Sequence, residues 1–190
     1  NIYISLGWKS PLLFSQLEGL SLAVGTVLAN TLNQYTENQI RIKWPNDILF
    51  KKRKMSGILI ENLDLEGKVG VVIGIGINIH MTDKEGKEID QSWISLDEAT
   101  NKINNRNNII TDLLNGLFQL TERFPSKGFK HFKSSFEKLD LLKGKECKVI
   151  SENDIKEVKV LGVNDKGELL VKNNEEYLSL RYGEVSIREL

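Results

Sequence analysis

Four short stretches hold side chains whose types and spacing could do chemistry. Lys43-Trp44-Pro45-Asn46-Asp47 sets a carboxylate and an amide on a stiff turn beside an aromatic ring, since proline fixes φ and Asn and Asp bond their own backbone. At a sheet end such polar groups can converge on a ligand; an ordinary turn with Trp44 in the core accounts for the same residues. Lys54 closes the basic run Lys51-Lys52-Arg53-Lys54 and precedes Ser56-Gly57. There a glycine admits close backbone approach, and an ammonium can meet phosphate or carboxylate oxygens. A solvated hairpin tip is the plainer reading and suits Lys51, Lys52 and Arg53. Gly74-Ile75-Gly76 interrupts an apolar run where interior glycine weakens a strand, and so marks a bulge or a place where something must come close. It opens no helix and is not a dinucleotide fingerprint. Asn78 alternates onto the face of Gly74 and Gly76 and offers a donor and an acceptor to a base edge, or else caps the strand end.

What is missing narrows the chemistry. Two histidines, His80 and His131, and one cysteine, Cys147, provide neither a zinc-ligand cluster nor a nucleophile-base pair. A reaction whose nucleophiles belong to the substrates fits better, and Cys147 reads as a small hydrophobe in a strand. Lys plus Arg and Asp plus Glu number 26 each, so no positive excess attracts nucleic acid or an anionic membrane. No stretch reaches the roughly 20 apolar residues of a membrane helix, the expectation is of a first strand without a leader, and a lone cysteine points to the cytoplasm.

The elements that must position these groups follow from periodicity. Ile2, Ile4 and Leu6 alternate with Tyr3 and Ser5 as a strand, whereas Leu17 to Leu32 recur at helical steps, predicting a helix over about Phe14–Leu32. Strands follow at 40–44, 48–50, 55–62 and 69–79, joined by short turns as an antiparallel meander. Ser95 with Glu98 forms a capping box. Ile109 to Leu120 form the stripe of a longer helix ended by Pro125 and Gly128, and Phe129, Phe132 and Phe136 share a face of another. After Leu142 the pattern changes to five brief strands with turns at Glu152-Asn153-Asp154, Asn164 to Gly167 and Asn173-Asn174. The expectation is an α/β chain of the α+β type: a mixed or antiparallel sheet backed by helices over residues 1–140, then a small SH3-like β-barrel over 141–190.

Taken in order, KWPNDI (Lys43 to Ile48), KMSGILIE (Lys54 to Glu61) and GIGINI (Gly74 to Ile79) resemble the biotin protein ligases. The resemblance runs from NIYISL at Asn1 through Gln91 to Leu96 and FEKLD at Phe136 to GEVSIR at Gly183 to Arg188, so it covers essentially the whole chain. It implies an ATP-dependent ligase that, with Mg2+, activates biotin as its adenylate and passes it to a lysine of a biotin carboxyl carrier domain. It also implies roles. Lys54 lies between biotin carboxylate and adenylate phosphate and is the first candidate for catalysis. Gly57 and Gly74 meet biotin with their backbones, Asn46, Asp47 and Asn78 meet ATP or adenylate, and Arg188 reaches the phosphates from the C-terminal domain. The family's Gly/Arg-rich loop is expected upstream of Asn1, so the chain reads as a fragment whose first step calls on that segment. A winged-helix DNA-binding domain, where members have one, would lie further upstream. Two readings stay beside the ligase: a non-catalytic biotin-binding part of a biotin-sensing repressor, and a lipoate ligase of related fold. A sheet edge is a possible surface for homodimer pairing.

Overall fold

The structure, a computed structural model, describes residues 1–82, 86, 91–151, 154–183 and 186–190. Glu152 and Asn153 of one expected turn, and Glu184 and Val185 of the closing motif, lie outside the described residues. The first sheet contains β1 (Ile2–Ser10), β2 (Ile40–Lys43), β3 (Asp47–Phe50), β4 (Arg53–Asp64) and β5 (Val69–Ile77), in the order β1-β5-β4-β3-β2 and antiparallel throughout. Because strand side chains alternate, Ile2, Ile4 and Leu6 fall in register with Ile77, Ile75 and Ile73 on one face. That face is the core. Helix α1 (Leu20–Asn33) lies on it closely enough that Gly25 faces the methyls of Ile58 and Ile42. Ile42, Ile73 and Ile77 are fully buried, each worth about 1.5–3 kcal/mol of transfer free energy. Helices α3 (Arg106–Lys127) and α4 (Lys130–Glu137) complete the layer, and their apolar spacing buries Leu113, Leu117, Phe124 and Phe136. The opposite face carries Tyr3, Ser5 and Gly7 of β1 against Gly76, Gly74 and Val72 of β5. No helix among the described residues is long and apolar enough to cross a membrane.

Two helix boundaries differ from the sequence pattern. The helix expected from Phe14 is a single 3-10 turn, Phe14–Gln16, and α1 begins only at Leu20. The break is at Gly19, whose φ of 76° is left-handed and where a Cβ would lie 2.5 Å from Phe129 Cβ, so helical apolar spacing cannot carry the chain through it. At the other end Pro125 sits inside α3, in its last turn, and the helix stops two residues later at Lys127, with Gly128 N–H donating to the Phe124 carbonyl. Helix α2 (Leu96–Thr100) starts at the expected Ser95 cap, with Ser95 Oγ accepting from Glu98 N–H at 3.3 Å, but the reciprocal half of the box is not made, since the Glu98 carboxylate pairs with Arg53.

The second sheet holds β6 (Glu146–Ile150), β7 (Ile155–Val163), β8 (Leu169–Asn173), β9 (Glu176–Leu180) and β10 (Ser186–Glu189) in the order β10-β6-β7-β8-β9. Five strands form as expected, but among the described residues no ladder joins β9 to β10, so the sheet is open rather than a closed barrel. Cys147 is buried in β6, and burial pushes its thiol up, which suits packing and not nucleophilic chemistry. The connector between α4 and β6 pairs along the β2 edge, and the turn before β8 meets Trp44. Ile42 N–H donates to Leu139 O and Leu141 N–H to Ile42 O, while the buried Trp44 ring donates from Nε1 to Gly167 O at 3.0 Å. Gly167, with a φ of 81°, seats its backbone on Gly19, where a Cβ would lie 2.8 Å from the Gly19 Cα.

Candidate active site

Lys54 and Gly57 are three residues apart, so in a regular strand they would point to opposite faces. A bulge reverses this. Ile48 pairs with Ser56 but Leu49 pairs with Lys54, leaving Met55 as an extra residue that drops into the core. Lys54 and Gly57 therefore share the face away from the helices, and Asp47, paired with Gly57 across β3 and β4, joins them. Lys54 Nζ lies 2.7 Å from Asp47 Oδ1, with the two side chains 29% and 22% exposed. A Cβ on Gly57 would sit 3.5 Å from Lys54 Cε and 3.7 Å from Nζ, so the ammonium is held directly above the bare glycine. The lysine backbone is pinned on its other side, its N–H donating to Ser92 O and its carbonyl accepting from Ile94 N–H, both at 2.9 Å. A half-buried ammonium held over a backbone that carries no side chain can take a carboxylate or a phosphate in place of Asp47.

The glycines continue the floor. Gly57 pairs with Gly76, Gly74 pairs with Leu59 on one side and Ser5 on the other, and a Cβ on Gly76 would lie 3.6 Å from the exposed Tyr3 ring. The result is a shallow trough of backbone walled by Tyr3, Leu59 and the Lys54–Asp47 pair. Asn78 continues the Gly74 and Gly76 face; its backbone N–H donates to Met55 O at 2.9 Å and its amide to Ile94 O at 3.5 Å. Asn46 is spent differently. Its Nδ2 donates to Ile58 O at 2.9 Å and its carbonyl accepts from Ile58 N–H, so it acts as a short strand partner that fixes the turn before Asp47. Arg188 stands apart from this group, exposed on β10 opposite Lys148. The C-terminal strand reaches the β3–β4 turn through the neighbouring Glu189, which accepts from Lys52 and Lys145. The structure thus brings Asp47, Lys54 and Gly57 into contact, sets Gly74 and Asn78 on the same face, and does not join Arg188 to them.

Beyond Lys54 the sheet end opens into a cleft of about 890 Å³ whose lining includes Arg53, His80, Trp93, Asp97 and Glu98. Arg53 is paired with Glu98, and His80 Nδ1 lies 2.5 Å from Asp97 Oδ2. Burial works to raise the Asp97 carboxyl, but hydrogen bonds from His80 and Asn104 outweigh it and hold the group below the usual carboxylate range. An ionised Asp97 only accepts, so Nδ1 of His80 carries the proton. In the sequence His80 is one of two scattered histidines. Its partner is 17 positions away, and the only local signal was its place directly after GIGINI. Among the described residues no group of three or more His, Cys, Asp and Glu side chains could hold a metal ion.

Residues 1–78 match the biotin/lipoate A/B protein ligase family, and residues 143–188 match the biotin protein ligase C-terminal domain. The chain is 34% identical, over 99% of its length, to the bifunctional ligase/repressor BirA of Escherichia coli K12, and spans 59% of that protein. Among solved structures it resembles the apo biotin protein ligase of Aquifex aeolicus, with a TM-score of 0.86 and 31% identity over 99% of this chain and 82% of that one. The same enzyme in complex with biotin and ATP superposes with a TM-score of 0.83 at 30% identity, over 99% of this chain and 78% of that one.

Proposed function

The chain belongs to the biotin protein ligase family, and from that premise we propose that it converts biotin and ATP to biotinyl-5′-AMP and transfers the biotinyl group to a specific lysine of a biotin carboxyl carrier domain. The observation that carries this reading is the Lys54 ammonium clamped above Gly57 beside the glycine trough. Biotin would lie on the backbones of Gly57 and Gly74 with its carboxylate toward Lys54. A carboxylate oxygen attacks the α-phosphorus, the bond to pyrophosphate breaks, and Lys54 balances negative charge that grows on the phosphoryl oxygens. The adenylate would meet Asp47 and Asn78 directly. Asn46 would act by holding Asp47 in place, and Arg188 would approach the phosphates from the second sheet. In transfer the acceptor lysine amine attacks the acyl carbon, AMP leaves, and the amine gives up a proton. Both nucleophiles are substrate groups, which fits the expectation from a sequence with two histidines and one cysteine. Mg2+ would arrive with the triphosphate, since it binds largely through substrate phosphates and water, and Asp47 is the carboxylate beside the Lys54 ammonium that could meet it. A second copy could pair along the outer edge of β1, which has no strand partner among the described residues.

The full-length protein with ATP and Mg2+ should release pyrophosphate when biotin is added and add one biotinyl group to a carrier domain, read by mass spectrometry. Lipoate in place of biotin should support neither step. Release that depends on lipoate and not on biotin would overturn the reading.

A further inference from the structure

His80 lines the cleft with one ring nitrogen already engaged by the protein. Asp97 takes the Nδ1 proton, and Asp97 is itself locked by the N–H and side-chain amide of Asn104, at 2.9 Å and 3.0 Å. The contact holds the ring in one orientation, and in the neutral ring the second nitrogen, Nε2, which makes no hydrogen bond among the described residues, is a lone-pair acceptor. Among the described residues, the other charged groups lining this cleft, Arg53 and Glu98, are paired with each other. The half-buried Trp93 also lines this cleft, with Gly86 packed against its ring and its backbone flanking Lys54. A ligand with an N–H or O–H donor at this point suits the neutral His80 ring, and an acceptor at the same place does not.

We propose that His80 is a specificity-determining residue for the nucleoside of the substrate, Nε2 accepting a hydrogen bond from a nucleoside donor, with Asp97 as the positioning residue that sets the tautomer. This rests on the ligase reading given above. Two donors share the required chemistry, an exocyclic amine on the base and a ribose hydroxyl, and substrate analogues separate them. ITP replaces the amine by an oxygen acceptor, and 2′-dATP and 3′-dATP each remove a hydroxyl.

The test is biotin-dependent pyrophosphate release by the full-length protein and its His80→Phe and Asp97→Asn variants, with each nucleotide. His80→Phe keeps a ring but loses the acceptor. It should raise KM for ATP by about three- to tenfold, leaving kcat and KM for biotin near wild type. It should also erase the preference for ATP over whichever analogue lacks the donor. An amide at position 97 can donate to Nδ1 and drive the proton to Nε2, so Asp97→Asn should weaken ATP and improve the acceptor-bearing analogue relative to it. A purely structural role would lower all nucleotides alike. Unchanged nucleotide ratios in both variants of an active enzyme overturn the inference alone. A wild-type protein without biotin-dependent release overturns the ligase reading, and the inference with it.

Discussion

Gly57→Ala separates what the trough does for the fold from what it does for a ligand. The added methyl would meet Lys54 Cε at 3.5 Å, Nζ at 3.7 Å and Asp47 Oδ1 at 4.0 Å, all ordinary contacts, and Gly57 is not among the glycines with left-handed φ. The free protein thus has room for it. Losing a glycine restricts the unfolded chain, so stability should hold or rise by about 0.4–1 kcal/mol. A ligand lying on the Gly57 backbone meets the same methyl as an obstacle in a packed interface, where one surplus methylene costs about 1–3 kcal/mol. That corresponds to roughly a five- to 150-fold rise in Kd for biotin. Calorimetric titration of the full-length protein with biotin gives Kd, and a thermal melt of the same sample gives the stability. An unchanged Kd at unchanged Tm would mean that no ligand uses this face. A collapsed Tm would mean that the space above Gly57 has been misjudged.

Lys54→Ala should lower biotin-dependent pyrophosphate release by about 10²–10³-fold, the scale expected for removing a group that balances transition-state charge, and unchanged turnover would take it out of the mechanism. Gly167→Ala puts a Cβ into left-handed backbone 2.8 Å from the Gly19 Cα, and urea unfolding should show a loss of about 2–6 kcal/mol; a loss under about 0.5 kcal/mol would mean that the junction of the two sheets yields easily. Hydrogen bonds from Ser179, Asn164 and Arg181 hold the Glu168 carboxyl at about 2, so its contribution is complete above its ordinary value of 4.5 and is lost as pH falls toward 2. Glu168→Gln should flatten that part of the stability profile in acid unfolding, and an unaltered slope would assign it elsewhere.

Sequence alone carried much of this molecule because the relevant physics is local. The alternation of Ile2, Ile4 and Leu6, and of Gly74, Gly76 and Asn78, assigns each residue to a face before any fold is known, since a strand reverses direction every residue. The Ser95–Glu98 cap is equally local, four consecutive positions being enough to form it. Three kinds of feature lay beyond such reasoning. Gly19 ends the apparent helix because Phe129 and Lys166, far along the chain, occupy the space of a side chain. Trp44 looked like core filler, and it is buried, yet its Nε1 also ties the first sheet to Gly167 of the second. The Met55 bulge is the decisive one. Strand periodicity in sequence sends Lys54 and Gly57 to opposite faces, and only pairing with Ile48 and Leu49 reveals the extra residue that turns the ammonium over the glycine. The His80–Asp97 pair follows the same rule, its members meeting only because the end of β5 runs beside the start of α2. Chain pattern determines which face a residue occupies within one element; which groups from different elements meet is decided by tertiary register, and the chemistry of this candidate site depends on the latter.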